Sequence, residues 1–190
     1  LTDQITALEE FKKAEYIEKW AYELAKLYDE AGMTAECLEK KSEKIVKLLQ
    51  ALAFQIGSEV SYNELAQICG LDSKTVDSYV QLLEQAFVVF RLPSYSRNLR
   101  NELKFAKKVY FWDCGIRNAV IGNFMLPEVR QDIGALFENY IISERLKKLS
   151  YAGAYTRPYF WRTSTKQEID FIEETDGQLA AYEFKWNPRK

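Results

Sequence analysis

Four residues in the C-terminal part of the chain have the types and spacing for phosphoryl chemistry: Glu138, Asp170, Glu183 and Lys185. Glu138 lies in a helical stretch, FENYIISERLKKL (137–149), and Asp170 in a strand-like run, QEIDFIEE (167–174). Glu183 and Lys185 lie in a second such run, LAAYEFKW (179–186). Side chains two apart on a strand share a face. Glu168, Asp170 and Ile172 therefore face one way and Ile169 and Phe171 face the core, while Glu183 and Lys185 lie opposite Tyr182, Phe184 and Trp186. Asp-Gly in the loop ETDGQ (174–178) is a strong hairpin signal that pairs the two runs and sets Asp170 beside Glu183 and Lys185. Carboxylates on adjacent strands repel unless a hard cation sits between them, and oxygen donors suit Mg²⁺ or Mn²⁺. The spacing predicts a metal centre of the kind that hydrolyses phosphodiesters. A plainer outcome is an exposed cross-strand ion pair worth roughly 0–1 kcal/mol.

An earlier run, AYTRPYFWR (154–162), extends the sheet on which these residues stand. Upstream, Val60 and Ser61 open a helix, SYNELAQIC (61–69), with Ser61 and Glu64 as a capping box. Gly70-Leu71-Asp72 makes a tight turn, and Ser73 is the expected cap of a second helix, KTVDSYVQLLEQAF (74–87). Two strand-like runs follow, VVFRLP (88–93) and KKVYFWD (107–113), joined by the loop SYSRNLRNELKFA (94–106). Helix, turn, helix and hairpin have the grammar of a winged helix-turn-helix.

That unit offers two surfaces for DNA. The second helix carries Ser73, Lys74, Thr75, Asp77, Ser78 and Gln81, but Asp72 and Asp77 offset Lys74. The hairpin carries Arg97, Arg100, Lys104, Lys107 and Lys108, with Tyr95 and Phe105 as stacking surfaces, so a basic wing is expected there. The competing reading is a protein-binding module with a solvated charged face.

The N-terminal zone reads as a helical connector. Leu8, Phe11, Tyr16, Trp20, Leu24, Leu27 and Tyr28 recur at helical spacing over 7–31, and Gly32 ends that helix. Thr34 caps a second helix whose apolar stripe is Cys37, Ile45, Leu48, Leu49, Leu52 and Phe54.

Composition narrows the chemistry. The chain has 190 residues, a net charge of −2 and no His, which removes Ser–His–Asp, Cys–His and His-ligated metal chemistry from this stretch. Cys37, Cys69 and Cys114 are isolated, so neither a disulfide framework nor a zinc site is indicated, and they read as small core residues in a reducing, cytoplasmic setting. No apolar run approaches the ~18 residues of a membrane span, and no signal peptide opens the chain. The absence of an initiator Met and a last strand that stops soon after Lys185 predict a fragment of a longer protein.

The run GALFENYIISERL (134–146), followed by YFWRTSTKQEIDFI (159–172) and YEFKW (182–186), resembles the C-terminal domain of unknown function of bacterial and archaeal AAA+-type P-loop ATPases. The stretch from Glu64 to Gly122 is similar to the winged-helix region of the same proteins. That resemblance implies an α+β chain: a helical connector (1–57), a winged helix-turn-helix (58–124), and a truncated restriction-endonuclease-like αβββ core of the PD-(D/E)XK type (125–190). It also implies metal ligation by Asp170 and Glu183 with help from the Phe184 carbonyl. Lys185 would polarise the attacking water, and Glu138 would complete the acidic cluster. The ATP-binding domain would lie N-terminal to this stretch, which contains no G-x-x-x-x-G-K-[ST]. The expected function is a module that binds nucleic acid or a partner protein and is coupled to that ATPase; the alternative is an active Mg-dependent DNA endonuclease.

Overall fold

A computed structural model describes residues 19, 21–23, 26, 35–96, 107–163, 165 and 167–187, with residues 35–39 as backbone. The expected helix over 7–31 lies largely outside the described residues, as do Arg97, Arg100, Lys104 and Phe105. The described part is a mixed α+β arrangement with two small antiparallel sheets of three strands each. Its elements are α1 (Ala35–Phe54), β1 (Glu59–Val60), α2 (Tyr62–Cys69), α3 (Ser73–Gln85), β2 (Val89–Pro93) and β3 (Lys107–Phe111). They continue with α4 (Cys114–Ile121), a 3-10 turn (Pro127–Val129), α5 (Ile133–Tyr151), β4 (Arg157–Arg162), β5 (Glu168–Thr175) and β6 (Gln178–Tyr182).

Local chemistry sets most boundaries. The Ser61 side chain accepts a hydrogen bond from the Glu64 backbone N–H at 3.4 Å, and Gly70 closes α2 in the left-handed conformation at φ 63°. The α3 cap is Asp72 rather than Ser73: its carboxylate accepts from the N–H groups of Lys74 and Thr75, and from the Thr75 hydroxyl at 2.6 Å. A carboxylate can take several donors at once, whereas Ser73 is drawn into the first turn. Asp176 and Gly177 both have positive φ, at 51° and 77°, so a two-residue turn of the I′ kind joins β5 to β6.

The first sheet, ordered β1-β3-β2, is covered on both faces. Val89 on β2 with Val109 and Phe111 on β3 packs against Leu48, Leu49 and Leu52 of α1, Leu65 of α2, and Val76, Val80 and Leu83 of α3. The alternate residues Phe90, Leu92 and Tyr110 pack against Ile142 of α5 and against Phe160 and Phe171 of the second sheet. Alternation along a strand thus feeds two cores. Phe54, expected in the apolar stripe of α1, is instead 72% exposed at the helix end.

The second sheet runs β4-β5-β6 and meets the first through a parallel bridge between Ser94 and Phe160, where the Tyr95 N–H donates to the Phe160 carbonyl at 2.7 Å. Tyr95 packs edge-on against Tyr159, the cross-strand neighbour of Ile172. This cover explains a departure from the expected strand parity. Ile172 is buried although it shares a face with Asp170.

Helix α5 is tied to both sheets by polar groups. Buried Asn139 accepts the Phe111 N–H at 2.7 Å and returns its amide N–H to the Phe111 carbonyl at 2.9 Å. Arg145 grips buried Glu173 on β5 through Nε at 2.5 Å and an Nη at 2.8 Å. At the N-terminal end, the Asp132 carboxylate receives the guanidinium groups of Arg117 and Arg130, both of which are buried. Arg117 also donates to the Ala53 carbonyl of α1 at 2.9 Å, so one carboxylate joins α1, α4 and α5.

Two substitutions test these ties. Asn139→Ala strands a buried N–H and a buried C=O on Phe111, and should lower stability by about 3 kcal/mol in urea unfolding. Asp132→Asn leaves two buried guanidinium groups short of a counter-charge and should cost about 3 kcal/mol near neutral pH. The hydrogen bond from Arg130, then that from Arg117, holds the Asp132 carboxyl well below its ordinary value of 3.8. Its stabilisation is therefore present above that value and is lost as pH falls through the lower folded value. The gap between wild type and Asp132→Asn should narrow as pH drops below 3.8; a gap that stays constant into strong acid would remove this ion pair as its source.

Candidate functional site

Glu138, Asp170, Glu183 and Lys185 line one open cleft. Glu138 enters from α5, Asp170 from β5, and Glu183 and Lys185 from the segment after β6. The cleft has a volume of about 650 Å³; Arg130 and Gly134 also line it, as do Phe184 and Trp186. The Trp186 ring meets Phe137 edge-on at 5.4 Å. The rim at Arg130 is firmly held: its guanidinium donates to Asp132, to the Asn123 carbonyl at 3.0 Å and to the Asn118 side chain at 2.9 Å.

Strand pairing does not extend as far as expected. The β5–β6 ladder ends at the pair Phe171–Tyr182, one residue short of Glu183. Beyond it the Phe184 N–H donates to the Asp170 carboxylate at 2.8 Å, so a side chain replaces the next backbone rung. Glu183 and Lys185 therefore lie past the strand end, joined to each other at 2.8 Å and both well exposed. That contact holds the Lys185 ammonium above its ordinary pKa, and an exposed pair of this kind adds little to stability.

Glu138 has a different environment. Its Oε1 accepts the Tyr110 hydroxyl at 2.5 Å and the Lys108 ammonium at 3.2 Å. The same ammonium reaches Glu168 Oε1 at 2.5 Å and lies 5.3 Å from the centre of the Phe160 ring. Burial pushes the Glu138 carboxyl up, against the pull of Lys108 and of the Tyr110 hydroxyl, and Asp170 adds to the rise. Burial, with Glu138 beside it, drives the Tyr110 phenol well above its ordinary pKa.

Lys108, expected on a basic wing, is thus corrected: it is 1% exposed and points into the acidic cluster. The alternation in KKVYF could have revealed this, since Lys108 and Tyr110 share a face and Tyr110 belongs in a core. Lys107 is half-buried, and Lys74 is exposed in the first turn of α3. Asp77, expected to repel phosphates, is paired with Arg91 at 2.8 Å, and Arg91 also binds Glu84 and donates to the Tyr62 hydroxyl. No local pattern marks Arg91 for this role, because its partners lie 7, 14 and 29 residues away.

These donors do not fit a divalent ion as they stand. Oxygen ligands must converge on one point at ~2.0–2.6 Å. Here the Asp170 carboxylate is turned to the Phe184 amide, Glu183 to Lys185, and Glu138 to Tyr110 and Lys108. Among the described residues, no three carboxylate or thiol groups are arranged to hold a metal ion. Nor is any helix among them long and apolar enough to cross a membrane.

Comparison with known proteins divides the chain near the start of the cleft. Residues 133–190 match the domain of unknown function DUF4143, and residues 7–126 match the domain of unknown function DUF8612. Two similar proteins are the uncharacterized proteins Mb2031c of Mycobacterium bovis and Rv2008c of Mycobacterium tuberculosis. Each is 27% identical over 136 residues, which cover 70% of this chain and 30% of the relative, so the chain spans less than a third of their length. No solved structure matches the chain. With residues 7–126, more than half of the chain, inside the DUF8612 match, the chain belongs to the DUF8612 family of domains of unknown function, followed by a region similar to DUF4143.

Proposed function

We propose that this chain is a winged-helix unit joined to a nuclease-like αβββ unit, and that it serves as a binding and regulatory module of a longer P-loop ATPase rather than as a cutting enzyme. One observation carries the reading: three of the four carboxylates lining the cleft are engaged by protein donors, Glu138 by Tyr110 and Lys108, Asp170 by the Phe184 amide, and Glu183 by Lys185, while the fourth, Glu128, is exposed at the rim. A nuclease centre needs those oxygens free for a cation and a phosphate. Fold and site can outlast chemistry.

The order β1, α2, α3, β2, β3, with β1 alongside β3, supports the winged-helix assignment, and α5 followed by three antiparallel strands supports the nuclease-like one. Nucleic acid is the partner favoured by Lys74 on α3, by the neutralisation of Asp77 through Arg91, and by the basic residues Arg97, Arg100 and Lys104 in the β2–β3 connection. The ATPase domain would lie in the part of a longer polypeptide that this sequence does not include.

Two measurements test this function. In calorimetry, Mn²⁺ titrated into the protein and into Asp170→Ala/Glu183→Ala should give the same negligible heat. A one-site isotherm that the double variant abolishes would favour the alternative, a Mg-dependent DNA endonuclease. Arg97→Ala/Arg100→Ala/Lys104→Ala should weaken duplex DNA binding about equally across sequences and flatten its dependence on salt by roughly three phosphate contacts. Unchanged affinity and slope would exclude this connection as the DNA contact.

A further inference from the structure

We infer that Lys108 is the cation shared by Glu138 and Glu168: its ammonium takes the place of a divalent ion there, so that cation loading of these two carboxylates and docking of the two matched regions compete. Lys108 belongs to the DUF8612 match, whereas Glu138 and Glu168 belong to the DUF4143 match. The ammonium bridges Glu138 Oε1 at 3.2 Å and Glu168 Oε1 at 2.5 Å, and its side chain is 1% exposed. A charge this deep is tolerated only with close partners. The two carboxylates in turn have little other positive charge. The Arg162 guanidinium lies 3.7 Å from Glu168 Oε2 and also reaches Glu59 at 3.9 Å.

The surroundings favour a fixed organic cation. The Phe160 ring sits 5.3 Å from the Lys108 nitrogen, and the Tyr110 hydroxyl takes up the same Glu138 oxygen. On the other side the backbone of Gly57, at φ 73°, approaches closely enough that a Cβ there would lie 3.5 Å from Glu138 Oε1. For Glu138 and Glu168 to share a metal ion, Lys108 must leave; its side chain is 1% exposed and stands between β3 and α5, so its departure loosens the packing of β3 on α5. Binding of a cation at these two carboxylates and packing of the first sheet on α5 are therefore thermodynamically linked with opposite sign.

The test is thermal unfolding of the whole chain with Mn²⁺ and with chelator. Wild type should melt at the same temperature in both. Lys108→Ala, which removes both the charge and the chain that fill the site, should melt roughly 10 °C lower in chelator and regain about 5 °C in Mn²⁺. Adding Glu168→Gln to Lys108→Ala should erase the gain, whereas adding Glu183→Gln should not. A Mn²⁺ gain in wild type equal to that in Lys108→Ala would overturn the inference, as would no gain in the variant or a gain that survives Glu168→Gln. If Lys108→Ala does not fold in chelator, refolding yield with and without Mn²⁺ reads the same competition, and equal yields overturn it. The outcome is separable from the proposed function, which turns on Asp170 and Glu183 in the unaltered protein.

Discussion

Burial of β3 on both faces is the constraint from which much else follows. A strand covered on two sides must supply two cores by alternation, and Lys107–Phe111 does so with Val109 and Phe111 on one face and Lys108 and Tyr110 on the other. The second face buries an ammonium, and a buried ammonium requires carboxylates. Those carboxylates are Glu138 on α5 and Glu168 on β5, so the charge pairing also fixes where the helix and the second sheet sit. The acidic cleft is thus partly a consequence of packing. Its shape depends on the same contacts that neutralise it.

Around that centre, polar ties outnumber what the hydrophobic pattern alone would need. The Asp132 carboxylate gathers two buried guanidinium groups, Arg145 binds Glu173 with two nitrogens, and Arg91 joins α2, α3 and β2. Bidentate guanidinium–carboxylate contacts are directional, so they set angles between elements as well as holding them together. Apolar contacts between the two cores are more tolerant of rotation. The combination explains how a cleft with an open mouth can keep a defined set of lining residues.

Signals confined to a few residues were legible in the sequence. Asp176-Gly177 gave the β5–β6 hairpin, Gly70 the end of α2, and Ser61 its start. The nearness of Asp170 to Glu183 and Lys185 was legible through the hairpin turn, but the strand face expected to carry the last two was not formed, since β6 ends at Tyr182. Partnerships made across the fold were not legible. Lys108 looked like surface because it sits in a basic run, and only the second sheet, some 60 residues downstream in Glu168, shows what it faces. The end of β6 at Tyr182 was hidden for a similar reason, since the competing acceptor is a side chain of the neighbouring strand. Asp72 displaced Ser73 as a cap because a carboxylate satisfies more donors than one hydroxyl can.

The amide of Asn139 also bears on how this protein keeps to itself. β1 pairs with β3 only at Lys107 and Lys108, so the flank of β3 beyond them lacks a companion strand. A strand flank without a companion becomes a template for strand exchange between molecules once it reaches solvent, and here Val109, Tyr110 and Phe111 are kept fully buried. Asn139 presents to Phe111 the same donor and acceptor that a passing strand would offer, and it does so from within the same chain. One side chain thereby ends the sheet, and loss of that plug would expose a sticky margin as well as weaken the fold.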